Sequence, residues 1–126
     1  MSDASEQSQQ AYQDGCVCYR QGELEQATQL FRRALELAPE HAQCWFALGN
    51  CYDGMKKPLQ AEVCFRKSLE LSAPDAESQV NFNLGNSLLD QGKLAEAIQC
   101  YDRVDVASVA YEPAQKNRAL AKRALQ

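Results

Sequence analysis

Long apolar runs are missing from this sequence of 126 residues: no stretch approaches the roughly 20 residues that a membrane-spanning helix needs. The opening, residues 1–10, is polar and acidic, where a secretory leader is basic and then apolar. Basic charge is scarce too. Thirteen Lys and Arg stand against 17 Asp and Glu, a net charge of -4, so the field that nucleic acid or an anionic membrane requires is not there. These shortages lead to the expectation of a cytoplasmic protein with neither nucleic acid nor membrane as partner. Histidine occurs once, as His41, and neither a C-x-x-C pair nor a glycine-rich phosphate loop is present. No cofactor, no metal and no catalytic residue is therefore expected. The only thiol–imidazole candidate is His41 with Cys44, three apart at a helix start, where the two side chains can meet.

Cysteine is the exception to this poverty, with six in the chain. Cys16 and Cys18 form a C-x-C pair, while Cys44, Cys51, Cys64 and Cys100 lie singly in segments with helical periodicity. Since the opening is unlike a leader and the segments read as helices rather than a loop-rich scaffold, no disulfide framework is expected. The thiols read as small apolar fillers between packed helices, the alternative being a metal or redox site. Charge is uneven as well: Lys116, Arg118, Lys122 and Arg123 fall in the last fourteen residues with no acid among them. The rest of the chain holds nine basic against seventeen acidic residues, a balance of -8.

What the sequence does contain is a period. Gly15, Ala27 and Phe31 recur 34 residues later as Gly49, Ala61 and Phe65, and a further 36 on as Gly85, Ala97 and Tyr101. A fixed period of this size means stacked units. Three are expected, at residues 8–41, 42–75 and 78–111, with the two extra residues in a loop near Pro74, Asp75 and Ala76. Residues 1–7 are expected to be flexible, and 112–126 to form a terminal capping helix. Within each unit apolar residues return every three or four positions, the spacing of two amphipathic helices. In unit two these are Trp45, Leu48 and Tyr52, then Leu59, Val63 and Leu69. Gln21-Gly22, Lys57-Pro58 and Gln91-Gly92 mark the turns inside units, and Pro39 and Pro74 the ends of second helices. Short loops make neighbouring helices antiparallel. A glycine inside a helix costs about 1 kcal/mol relative to alanine, so its threefold placement implies close helix packing, with Phe31, Phe65 and Tyr101 filling the space beside it.

These residues resemble the tetratricopeptide repeat family. Unit two carries the family pattern as Trp45, Leu48, Gly49, Tyr52, Ala61, Phe65 and, one residue late, Pro74. Unit one has Ala11 and Cys18, and unit three Asn81 and Leu88, where the large residues stand, and residues 104–110 depart from the pattern. The resemblance implies an all-α fold, a right-handed superhelical solenoid of three helix-turn-helix units. A capping helix follows in which Pro113 suits the first turn and Leu120, Ala121, Ala124 and Leu125 supply an apolar stripe.

It also implies a function, since first helices in the family line a concave face that holds an extended peptide. Projecting the period places Gln9, Tyr12, Cys16 and Tyr19 on that face in unit one, Phe46, Ala47, Asn50 and Asp53 in unit two, and Phe82, Asn83, Asn86 and Leu89 in unit three. Lys116, Asn117, Leu120 and Arg123 continue the series in the cap. Asn50 and Asn86 are expected to hold peptide backbone through their amides, and Tyr12, Phe46 and Phe82 to receive apolar ligand side chains. Some family members grip a C-terminal carboxylate with a lysine and asparagine of the first unit, an asparagine of the second and a lysine and arginine of the third. Here the first unit has Tyr12 and Cys16 instead, so that clamp is incomplete. Two classes of function follow: an adaptor that binds a protein or peptide ligand in its groove, or a structural module that forms homo-oligomers through its groove or terminal helix faces.

Overall fold

The computed structural model describes residues 3–126 as seven α-helices, with no strand among the described residues. They fall into two compact units, Met1–Leu71 and Ser72–Gln126. The first holds α1 (Ala4–Arg20), α2 (Leu24–Leu37), α3 (Ala42–Gly54) and α4 (Pro58–Leu71); the second holds α5 (Glu77–Asp90), α6 (Leu94–Asp102) and α7 (Tyr111–Leu125). A 3-10 turn, Pro74–Ala76, lies where the repeat period carries its two extra residues. None of the described helices is long and apolar enough to cross a membrane.

Three helical hairpins, α1–α2, α3–α4 and α5–α6, are built on one plan. A Cβ on Gly15 would lie 2.6 Å from the Phe31 ring, one on Gly49 2.5 Å from Phe65, and one on Gly85 2.6 Å from Tyr101. The glycines thus admit an aromatic wedge that any larger residue would exclude. Ala27, Ala61 and Ala97 are fully buried opposite them. At the closed end of each hairpin the helix stops on one residue in the left-handed region: Gly22 (φ 79°), Lys56 (φ 62°) and Gly92 (φ 77°). The following N–H then reaches back five residues, as Glu23 to Cys18, Lys57 to Tyr52 and Lys93 to Leu88, which satisfies carbonyls that the helix end leaves open. At the open end a serine ties each hairpin together, in the third by way of the segment that follows α6. Ser8 donates to the Ala34 carbonyl at 2.8 Å and Ser68 to the Ala42 carbonyl at 3.0 Å, while Ser78 accepts from the Asp105 N–H at 2.9 Å.

Four features differ from the sequence-based expectation. The flexible segment expected at residues 1–7 is helical from Ala4, because the Asp3 carboxylate accepts the Glu6 N–H at 2.8 Å and caps α1; residues 1 and 2 lie outside the described part. Leu59 and Val63 are each 60% exposed. The packed face of α4 is Ala61, Cys64, Phe65 and Ser68, and positions 59 and 63 fall out of phase with it. α6 ends after nine residues, where α2 and α4 have fourteen. Beyond it the Asp105 carboxylate accepts the Ala107 N–H and the Ser108 hydroxyl oxygen the Ala110 N–H, local bonds that compete with helix. Finally, α7 packs through Ala114 and Ala121, and the expected stripe of Leu120, Ala124 and Leu125 is exposed.

The cysteines pack as fillers. Cys44, Cys51, Cys64 and Cys100 are buried free thiols, and Cys16 and Cys18 are half-buried. Burial pushes Cys44 and Cys64 up to about 12 and Cys51 to about 11. The Cys44 thiol donates to the Phe31 carbonyl at 3.4 Å, and His41 Nδ1 accepts the Cys44 N–H at 3.2 Å as the N-cap of α3. His41 and Cys44 therefore form no thiol–imidazole pair: each is committed to a backbone partner.

Candidate functional site

In the first unit, α1 and α3 turn one face each toward an open cavity of about 360 Å³, with α2 supplying its floor through Phe31. Tyr12, Cys16 and Tyr19 line it from α1, and Phe46, Ala47 and Asn50 from α3. The spacings of three and four residues put each set on a single helical face. Tyr12 leans on Phe31 with ring centroids 5.8 Å apart and on His41 at 4.7 Å; Phe46 leans on Phe65 at 5.8 Å. Each hairpin wedge thus props up the aromatic residue that the preceding helix presents. Burial, followed by the hydrogen bond with Cys16, pushes the Tyr12 hydroxyl up to about 12. Tyr19 is also raised, by burial first and then by Cys51 and the Asp53 carboxylate. Both phenols stay protonated at neutral pH, as neutral donors and acceptors. Arg20 is the one charged residue on this wall among the described residues.

Six of the positions projected from the repeat period meet here: Tyr12, Cys16, Tyr19, Phe46, Ala47 and Asn50. Asp53 is half-buried beside Tyr19 but does not line the cavity. Gln43 and Arg20 line it without having been projected. Gln43 was legible, since it stands 34 residues after Gln9; Arg20 was not, because its counterpart 34 residues on is Gly54.

In the second unit the projected residues do different work. Phe82 leans on Tyr101 with centroids 6.3 Å apart, repeating the arrangement of Phe46. Asn83 accepts from Gln79 at 3.0 Å. The Asn86 side-chain oxygen accepts both the Tyr101 hydroxyl at 2.7 Å and the Asn117 amide at 2.9 Å, so it joins α5 to α6 and α7. Both lone pairs of the Asn86 oxygen are thus engaged within the fold, so the acceptor half of the role expected of its amide is already taken up by Tyr101 and Asn117. Phenylalanine stands at the wedge of the other two hairpins and carries no hydroxyl, so the sequence offers this bridge once. Leu89 is half-buried, and Lys116, Leu120 and Arg123 are exposed along α7. Arg118 pairs with Asp102 and holds α7 beside the end of α6.

Comparison with known proteins follows the same division. One tetratricopeptide repeat family model matches residues 15–73, and a second matches residues 78–105. Among curated proteins, Protein O-mannosyl-transferase TMTC3 of Homo sapiens and that of Mus musculus are each 36% identical over 58 residues. The match takes in 46% of this chain, which spans 6% of the length of those relatives. Among solved structures, the first TPR of Spaghetti (RPAP3) bound to HSP90 peptide SRMEEVD superposes with a TM-score of 0.84 at 20% identity, over 96% of this chain and 94% of that one. The complex of the TPR2B domain of yeast Sti1 with pHsp70 gives 0.86 at 12% identity, over 94% and 98%. The Yersinia enterocolitica type III secretion chaperone SycD with a peptide of the translocator YopD gives 0.81 at 19% identity, over 94% of each chain. At these identities the likeness is one of fold.

Proposed function

Because the chain belongs to the tetratricopeptide repeat family, we propose that it is a non-catalytic adaptor whose first unit holds an extended peptide segment of a partner protein in the cavity lined by Tyr12, Cys16, Tyr19, Phe46 and Asn50. The observation that carries this reading is the convergence of four aromatic side chains, Tyr12, Tyr19, Phe31 and Phe46, on one open cavity that also holds amides and protonated phenols. Such a lining takes an apolar or aromatic side chain while amides and hydroxyls meet the backbone beside it. The HSP90 peptide held by the Spaghetti domain ends in acidic residues. Here Tyr12 and Cys16 stand where a carboxylate clamp has lysine and asparagine, so the ligand of this cavity is apolar in character rather than a carboxylate terminus.

The commitments of His41 and Cys44 to backbone support a role without catalysis. The transferase activity in the name of the TMTC3 proteins is not carried over, given the 6% of their length that the match covers. The free thiols support the cytoplasm as the setting.

Selection from a displayed random-peptide library against the full chain tests the reading. Enriched peptides are expected to share an aromatic or large aliphatic anchor, and to bind Tyr19→Ala and Asn50→Ala variants at least about tenfold more weakly, a loss of roughly 1.4 kcal/mol. Selected peptides that bind wild type and both variants alike, or a preference for acidic C-termini, would refute it.

A further inference from the structure

The first unit has a second cavity, on the other side of α3. Positions 43, 46, 47 and 50 face the cavity described above, whereas Trp45, Leu48 and Tyr52 face an open groove of about 470 Å³ walled by α2 and α4. Leu35 lines it from α2 and Val63 from α4. The Trp45 indole N–H already donates to the Pro39 carbonyl at 2.7 Å, so the ring offers the groove an apolar surface with no unmet donor. Beside this hollow stand two apolar projections, Leu59 and Val63, one helical turn apart on α4 and each 60% exposed. Hollow and projections thus share one face.

The charges on the α2 wall are arranged in the same self-complementary way. Arg32 and Glu36 both line the groove, one turn apart and opposite in sign, and neither forms an ion pair among the described residues. Their order, base before acid, is the weaker one for pairing within a helix. A partner carrying charge of one sign leaves one of the two unmet. A second copy related by a two-fold axis meets both, since an isologous interface sets residue i against j and j against i.

We propose that this outer groove is the interface of a two-fold homodimer, in which Leu59 and Val63 fill the facing groove and Arg32 of each copy pairs with Glu36 of the other. Two walls of about four turns each offer a small footprint, and a weak, reversible association in the micromolar range is expected. It leaves the cavity of Tyr12, Phe46 and Asn50 open, and its outcome is independent of what that cavity binds.

Sedimentation equilibrium of the full chain over about 1–200 µM tests the proposal. Wild type is expected to pass from monomer to dimer across that range. The double variant Leu59→Lys/Val63→Asp changes only exposed positions and is expected to remain monomeric with an unchanged circular dichroism spectrum. Arg32→Glu alone and Glu36→Arg alone each set like charges together twice, and are expected to weaken the dimer at least about tenfold. An equimolar mixture of these two single variants restores opposite charges at both contacts and is expected to recover dimer. A wild type that stays monomeric, a dimer that survives Leu59→Lys/Val63→Asp, or a mixture that gains nothing over its components would overturn the assignment.

Discussion

The side-chain oxygen of Asn86 lies 2.7 Å from the Tyr101 hydroxyl and accepts its hydrogen bond. The same oxygen accepts from Asn117 at 2.9 Å, so one amide on α5 holds the wedge of its own hairpin and the helix that follows. Equivalent positions carry Cys16 and Asn50 opposite Phe31 and Phe65, and neither of those pairs can form the bond. The third hairpin has the shortest second helix. Polar ties to α7 there supplement the apolar packing that a longer helix supplies in the first two hairpins.

Removing the amide is expected to destabilise the chain. Asn86→Ala leaves two donors without their acceptor and is expected to cost about 1–3 kcal/mol, whereas Tyr101→Phe keeps the wedge, loses one bond and costs about 1 kcal/mol. Urea denaturation of both single variants and the double variant measures this. The cost of Asn86→Ala shrinks in the Tyr101→Phe background when the two residues are coupled. An Asn86→Ala variant as stable as wild type would show that these two bonds contribute nothing to the fold.

The contrast between Asn86 and Gly85 shows what the sequence made legible. Gly85 belongs to a triplet repeated with Ala97 and Tyr101, and repetition exposes a packing need that recurs in every hairpin. The second role of Asn86 arises from one added hydroxyl fifteen residues away, and a period carries no trace of an event that happens once. Leu59 and Val63 have the right spacing for a buried stripe, yet the wedge at Phe65 sets the phase of α4 and turns them outward. Tyr12 and Phe46 stand one period of 34 residues apart and Asn50 lies one turn beyond Phe46, so the repeat itself places them on corresponding helix faces.

Asn81 occupies the place held by Ala11 and Trp45 in the other hairpins, and it is 3% exposed. Its side-chain oxygen has no hydrogen-bond partner among the described residues. A buried acceptor left unmet costs about 1–3 kcal/mol, and leucine has nearly the same shape with no polar atom to satisfy. Asn81→Leu is therefore expected to stabilise the chain by about 1 kcal/mol and to raise the melting temperature by roughly 3–8 °C. A fall in melting temperature in a differential scanning experiment would show that the amide nitrogen makes a bond worth more than the oxygen loses.

Alkali should find the buried thiols. Burial raises Cys44 and Cys64 from an ordinary value of 9.0 to about 12, and Cys51 to about 11. Between these limits the unfolded chain has lost the thiol protons while the folded chain keeps them. The folded state then binds more protons, so stability falls as pH rises through that window. Below pH 9 the three thiols are protonated in both states and contribute no slope. Denaturation free energies at intervals from pH 8 to 11 are expected to fall above about pH 9. Replacing Cys44, Cys51 and Cys64 with alanine lowers the whole curve but flattens that fall. A triple variant with the wild-type slope would assign it to tyrosines or lysines instead.

Two opposed effects meet at Gly49. Alanine there gains about 1 kcal/mol of helix propensity, but its Cβ would lie 2.5 Å from Cε1 and 2.7 Å from Cδ1 of Phe65. The Phe65 ring has no free space to retreat into: it is fully buried, and Phe46 leans on it. Overpacking of this kind costs about 1–3 kcal/mol, and a contact this short belongs at the upper end, so the clash wins and Gly49→Ala is expected to lose about 1–2 kcal/mol net. Gly54, five residues on at the end of the same helix, meets only the Leu24 methyl at 2.9 Å, a tip that can rotate away. Gly54→Ala is expected to stay within about 0.5 kcal/mol of wild type. Shortening the wedge provides the decisive comparison in chemical denaturation: Phe65→Leu is expected to destabilise the wild-type chain by more than it destabilises Gly49→Ala, because it relieves the clash in the second background. Strict additivity of the two substitutions would mean that the glycine is not there to admit the ring.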